Sequence, residues 1–213
     1  GKNFKLIKNI SKLEKSNFKD KLLFSKLITA LEEAKSNKER EIFEKFFNQI
    51  NNNRHQKFLN YKFKMLQKIG KGNLAYNIKG LDIDGKLHSL EELKGKIVVL
   101  DFWATWCGPC LYEAPYFDQL ALKYKNDQVV FLSISIDENK PKWIAKVKSN
   151  PSKVQNWIAL NVNEIAENYQ ISGIPRFVVI DKAGNFYESQ MARPSEKSFE
   201  TILNIALGKK NEE

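Results

Sequence analysis

The chain's two cysteines stand three positions apart, in Trp106-Cys107-Gly108-Pro109-Cys110. Two thiols at that spacing could hold a metal, carry a haem, close a structural loop, or cycle between dithiol and disulfide. A structural zinc needs four ligands. The two histidines, His55 and His88, are neither paired nor at a ligand spacing. Covalent haem attachment requires histidine directly after the second cysteine, and position 111 is leucine. A disulfide closing so short a loop constrains the unfolded chain very little. Redox exchange is the favoured chemistry, with no metal and no cofactor beyond the Cys107–Cys110 pair itself.

Such a pair must be positioned by its neighbours. The apolar run Ile97–Trp103, broken only by Asp101, predicts a strand in the middle of a sheet, and Glu113–Lys125 predicts the helix that follows. Cys107 then lies at a helix N-terminus, where unpaired backbone N–H groups and the helix dipole lower a thiol pKa from about 8.5 toward about 7 or below. Pro109 suits the first turn, where its missing N–H would have no partner. Cys110, one turn inward, is placed to attack a mixed disulfide on Cys107 and release the substrate as a thiol.

The surrounding chain has two styles. Residues 1–70 hold 17 Lys/Arg against 7 Asp/Glu, whereas residues 71–213 hold 18 of each, so the net charge of +10 belongs to the first third. In that third, apolar residues recur at spacings of three and four. The pattern predicts one amphipathic helix from Ile10 to about Ala34, a second through Ile42, Phe43, Phe46, Phe47 and Ile50, and a third through Phe58, Tyr61, Met65, Leu66 and Ile69. Gly70-Lys71-Gly72 supplies a boundary. Beyond it, short strands alternate with helices: a hairpin turning at Asp84-Gly85, a second buried strand at 129–136, helices at 141–148 and 163–169 with a short strand between them, a hairpin over Lys182-Ala183-Gly184, and a closing helix at 195–207. No apolar run is long enough to span a bilayer. The first residues lack the apolar stretch of a leader peptide, and a start at glycine is expected of a chain whose leader or lipid anchor has been removed.

Val99–Cys110 resembles the active-site strand and helix of the thioredoxin superfamily almost residue for residue. The resemblance continues through Glu113-Ala114-Pro115, Ser135-Ile136-Asp137, Gly173-Ile174-Pro175 and Ile180–Gly184, covering roughly residues 72–208. The Cys-x-x-Cys-x-x-Glu-x-Pro arrangement and the long segment between Asp137 and Pro175 are similar to the TlpA/ResA branch of extracytoplasmic thiol-disulfide oxidoreductases, and Arg193-Pro194-Ser195 to its TlpA-like members in Bacteroidota. This implies an α/β thioredoxin fold, a central mixed sheet flanked by helices, at 71–213, preceded by an all-helical basic segment at 1–70. It implies a bacterial periplasmic setting, protein thiols and disulfides as substrates, a membrane or soluble thiol as electron donor, and a link to cytochrome c biogenesis.

The resemblance also names site residues. Asp101 matches the buried aspartate behind the thioredoxin active site, where desolvation raises its pKa and lets it take the proton of Cys110. Glu113 matches the active-site glutamate of ResA-like proteins and would share that duty, the alternative being an exposed helix residue. Trp106, Gly108, Pro109, Ile174 and Pro175 form the implied substrate-binding set, with a cis bond at Ile174-Pro175 presenting the Ile174 backbone to an extended substrate, while Trp103 packs at the edge of the core. In one departure, Ser133 stands where thioredoxin has a lysine near its buried aspartate.

The Gly-Pro dipeptide between the cysteines favours a reductase or isomerase over a disulfide-forming oxidase. A thiol peroxidase would need Thr-x-x-Cys, but position 104 is alanine and position 107 is the other cysteine. A third alternative makes the basic helices a binding module. Their lysines alternate with glutamates, the ordinary pattern of a solvated helix, so no nucleic-acid partner is expected. Apolar residues on these helices are expected to pack onto the redox domain or to join copies of the chain through residues 1–70.

Overall fold

The structure, a computed structural model, describes residues 2–33, 45–125, 127–150, 152 and 154–209. The chain divides into two compact units, residues 1–68 and 69–213. In the first unit, helices α1 (Lys2–Ile10), α2 (Asn17–Glu33) and α3 (Asn53–Lys68) surround a core that includes Ile7, Ile10, Leu23, Leu27, Phe46, Ile50 and Leu59. The helix expected from Ile10 to about Ala34 starts only at Asn17, as α2, and Ile10 instead ends a separate helix, α1, with a break between the two. Ser16 ends the break by accepting the Lys19 N–H at 3.1 Å, as an N-cap does. The Lys19 ammonium closes the break by donating to the Ser11 and Leu13 carbonyls, each at 2.8 Å. Buried Asp20 accepts the backbone N–H groups of Asn51 and Asn52 at 3.0 and 3.1 Å, which ties the turn before α3 to α2. Ile42 and Phe43, expected in a helix, lie outside the described residues.

The second unit is built on a seven-stranded mixed sheet. Its strands are β1 (Lys79–Leu81), β2 (Leu87–Ser89), β3 (Ile97–Trp103), β4 (Val129–Ser135), β5 (Gln155–Ala159), β6 (Arg176–Ile180) and β7 (Phe186–Met191), in the order β2-β1-β5-β4-β3-β6-β7. β3, β4 and β5 are parallel and the remaining pairs antiparallel. The first hairpin turns on Asp82, whose Oδ1 accepts the Asp84 and Lys86 N–H groups at 2.9 Å while Gly85 takes φ +83°. Asp181 and Gly184 repeat this arrangement in the second. In both, glycine takes the left-handed conformation that a side chain would strain.

Helices α4 (Gly108–Lys123), α5 (Lys140–Ser149), α6 (Val162–Asn168) and α7 (Lys197–Ala206) complete the unit. Every residue of β3 is buried. Because strand side chains alternate between faces, Ile97, Val99, Asp101 and Trp103 share one face. Ile97 and Val99 pack with Phe117 and Ala121 of α4 and Phe199 and Leu203 of α7. Asp101 is therefore an acid inside an apolar layer. α4 starts five residues before the expected Glu113 and runs through Pro115, which costs one backbone hydrogen bond but does not end the helix.

Candidate active site

β3 delivers the chain to the redox pair through Ala104, Thr105 and Trp106. That connection is fastened by Asp137, whose Oδ2 accepts the Thr105 N–H at 2.9 Å and whose Oδ1 accepts the Thr105 hydroxyl at 2.7 Å. Ser135 donates to the same carboxylate at 2.7 Å. Cys107 is the N-cap of α4 and its Sγ accepts the Cys110 N–H at 3.2 Å, with Pro109 in the first turn as expected. The two cysteines are joined in a disulfide with their Cα atoms 5.2 Å apart.

The pair packs among Trp103, Ala104, Trp143 and Ile158, with Ile174 against the same cluster. Trp103 belongs to this cluster at the end of β3. Trp106 is 68 % exposed. Nothing would obstruct a Cβ at Gly108, so the surface between the cysteines is open. The Ile174-Pro175 bond is cis. Among the described residues, no group of three or more His, Cys, Asp or Glu side chains is arranged to hold a metal ion.

Asp101 and Cys110 line one cavity of about 110 Å³. Asp101 pairs in register with Ser133 of β4, whose hydroxyl donates to its Oδ2 at 3.1 Å; its Oδ1 is buried with no protein partner. Burial pushes the Asp101 carboxyl up to about 7, against the lowering effect of the Ser133 hydrogen bond, and the like charges of Asp118 and Glu113 push the same way as burial. Glu113 is not an exposed helix residue: it is 2 % exposed, and its two oxygens accept the Ser195 N–H at 3.1 Å and the Ser195 hydroxyl at 3.0 Å.

A thioredoxin-like family model matches residues 95–186, wholly within the second unit. The thiol-disulfide oxidoreductase ResA of Bacillus cereus (strain ZK / E33L) is 34 % identical over 138 residues, covering 64 % of this chain and 79 % of that protein. The chain belongs to the thioredoxin-like thiol-disulfide oxidoreductases. Two solved structures from Bacteroides vulgatus described as thiol-disulfide oxidoreductases agree. One, a crystal structure, is 32 % identical with a TM-score of 0.61 and covers 66 % of this chain and 99 % of that one. The other, a solution structure, is 37 % identical with a TM-score of 0.58 and covers 64 % and 91 %. Membership makes the Cys107–Cys110 disulfide the redox group of an oxidoreductase, which in this family works without an external cofactor.

Against the family pattern, the structure adds residues that motif reading left without a role. Asp137 and Thr105 were visible only as motif members, yet their contact fixes the approach to Cys107. Ser195 lies 82 positions from Glu113 and becomes its partner through the fold alone. Ser133, noted for the lysine it replaces, is the direct hydrogen-bond partner of Asp101.

Proposed function

We propose that this oxidoreductase reduces or isomerises protein disulfides outside the cytoplasm. Cys107 is the attacking thiolate, favoured by the N-terminus of α4. Its attack breaks the substrate S–S bond and leaves a mixed disulfide on Cys107. Cys110 then attacks that bond, releases the second substrate sulfur as a thiolate and closes the disulfide seen in the structure. Asp101 takes the proton that Cys110 must lose. The observation that carries this reading is that Asp101, with its proton affinity near neutrality, and Cys110 line the same cavity.

Glu113 is committed at both oxygens to Ser195, so its part in the proton step is to hold the segment after β7 and, by its charge, to raise the affinity of Asp101 for a proton. Trp106, Gly108, Pro109, Ile174 and Pro175 form the surface on which a substrate segment lies, supported by the exposure of Trp106 and the open face at Gly108. The balanced charge of residues 71–213 favours recognition by backbone pairing and apolar contact over charge. A membrane-bound or soluble thiol protein returns the pair to the dithiol form.

Trapping with Cys110→Ser tests the reading, since Cys107 then keeps its substrate as a mixed disulfide. Extracytoplasmic proteins bound through Cys107 are expected. Failure to trap any protein while a small thiol disulfide reacts readily would overturn it in favour of a small-molecule substrate. Equilibration with glutathione reads the direction: a potential near that of a strong oxidase would overturn the reductase assignment.

A further inference from the structure

The cavity behind Cys110 holds a second carboxylate that the chemistry above does not use. Asp118 lies on α4 eight residues after Cys110, so Cys110, Ala114 and Asp118 form one stripe along the helix, and all three line the cavity with Asp101 and Ser133. Asp118 is half-buried, and the Ser152 hydroxyl donates to its Oδ1. Lys146 of α5 and exposed Asn150 also line the cavity, so it runs from the buried face of β3 to the surface of the unit. Its volume of about 110 Å³ has room for several waters, each of which needs about 10–15 Å³.

Asp101 has a difficulty that this arrangement answers. It is 6 % exposed, one oxygen is taken by Ser133, and the other is buried without a protein partner. A proton accepted from Cys110 has no direct exit from there. We propose that Asp118 is the outer station of a proton path that runs from Cys110 to Asp101 and through the waters of this cavity to the surface. The proposal rests on the reading of Asp101 as the acceptor. In the resolving step the Cys110 S–H bond breaks and its proton goes to Asp101. The Cys110 sulfur bonds to the Cys107 sulfur, and the substrate sulfur leaves with the bonding pair as a thiolate. Asp101 passes that proton on, through water, to Asp118 and so to solvent within the same step, so the new sulfur bond closes only as the relay empties and the rate of resolution depends on Asp118. Asp118 acts through Asp101 and is a positioning residue that never meets the substrate.

Burial raises the Asp118 carboxyl above the ordinary aspartate range, against the Ser152 hydrogen bond, which brings its proton affinity toward that of Asp101. The ionisable groups around the path are Asp101 on β3, Cys110 and Glu113 on α4, and Lys146 on α5.

The test uses the full chain in the dithiol form, a disulfide-bridged peptide, and rapid quenching with a thiol label, which separates formation of the mixed disulfide from its resolution. Asp118→Asn keeps an acceptor for Ser152, so the local contact survives. Mixed-disulfide formation is expected at the wild-type rate, while the maximal rate of resolution at high pH falls about tenfold, below the roughly 10²-fold expected of the direct acceptor Asp101→Asn. Asp118→Glu restores most of the rate, and the double variant is no slower than Asp101→Asn alone.

Removing only a charge would lower the pH midpoint of resolution, because the Asp118 charge raises the proton affinity of Asp101. A lowered midpoint with an unchanged maximal rate would therefore overturn the path, as would effects of the two substitutions that multiply. Wild-type resolution by Asp101→Asn is a separate result: it would remove Asp101 as acceptor, and the path with it.

Discussion

Replacing Asp101 by asparagine should stabilise the second unit at high pH and not at low pH. In the folded protein burial pushes the Asp101 carboxyl up to about 7, from the 3.8 of an ordinary aspartate. Below both values the acid is neutral in the folded and unfolded chain and costs nothing. Between them the folded state holds a proton that the unfolded state releases, so stability falls as pH rises. Above about 7 the cost is complete, and roughly three units at 1.36 kcal/mol each make it about 4 kcal/mol. Asparagine never pays this ionisation cost and still offers Ser133 an acceptor where Oδ2 stood. Its amide group, placed at the unpartnered Oδ1 position, costs about 1 kcal/mol unless cavity water receives it. The net gain is therefore about 3 kcal/mol near pH 8.5, vanishing or turning slightly negative near pH 4. Urea unfolding of the disulfide form, followed by tryptophan fluorescence, measures it cleanly, because Trp103, Trp106, Trp143 and Trp157 all lie in the second unit. A difference between variant and wild type that stays within about 0.5 kcal/mol from pH 4.5 to 8.5 would refute the reasoning, since linkage allows no constant offset for a group whose proton affinity folding has changed.

Two further outcomes follow from contacts in the same unit. Asp137→Ala deprives the Thr105 N–H and hydroxyl and the Ser135 hydroxyl of their acceptor, and a loss of about 3 kcal/mol in urea unfolding is expected, with a loss under 1 kcal/mol showing that the loop does not depend on this carboxylate. His88 bonds Asp82 through Nε2 and Glu92 through Nδ1, both at 3.0 Å, and these hydrogen bonds, Glu92 first, raise its pKa above 6.5. Its protonated form thus favours the fold below pH 6.5, and that contribution is lost as pH rises through the folded value. An NMR titration of the His88 ring should give a midpoint above 6.5, and His88→Asn should remove this part of the pH dependence; a midpoint at or below 6.5 would contradict it.

What could be read without a structure was whatever the chain states locally. The strand Ile97–Trp103 is legible because its apolar run is continuous, and Asp101 because it is the single acid in that run. The break between α1 and α2 was hidden because Ile10 and Leu13 keep helical spacing across it, although Leu13 is 48 % exposed. α1 lies before the helix expected from Ile10 because Lys2, Lys5 and Lys8 punctuate its few apolar residues, yet Ile7 and Ile10 are buried. Partnerships between distant positions had no local signal. Nothing near Glu113 announces Ser195, and Asp118 in sequence is one more polar residue on a helix. Each gains meaning only when the sheet brings α4 over β3 and the segment after β7 back to α4.

The residue opposite Asp101 on β4 decides what kind of acid this is. A lysine there would set a positive charge beside the carboxylate and favour its charged form, opposing burial. Ser133 supplies one hydrogen bond and no charge, and it occupies one oxygen only. Burial therefore prevails, the like charges of Glu113 and Asp118 reinforce it, and the proton affinity of Asp101 settles near neutrality, where an acceptor can take a proton and return it within one cycle. The same substitution leaves Oδ1 without a protein partner beside a cavity that Cys110 and Asp118 share. A lysine could serve that oxygen directly and would fill space that water can occupy here. The absence of a paired charge and the room for water beside Oδ1 are thus two results of one small side chain, and the proposed proton transfer then rests on a cavity and its carboxylates rather than on an ion pair.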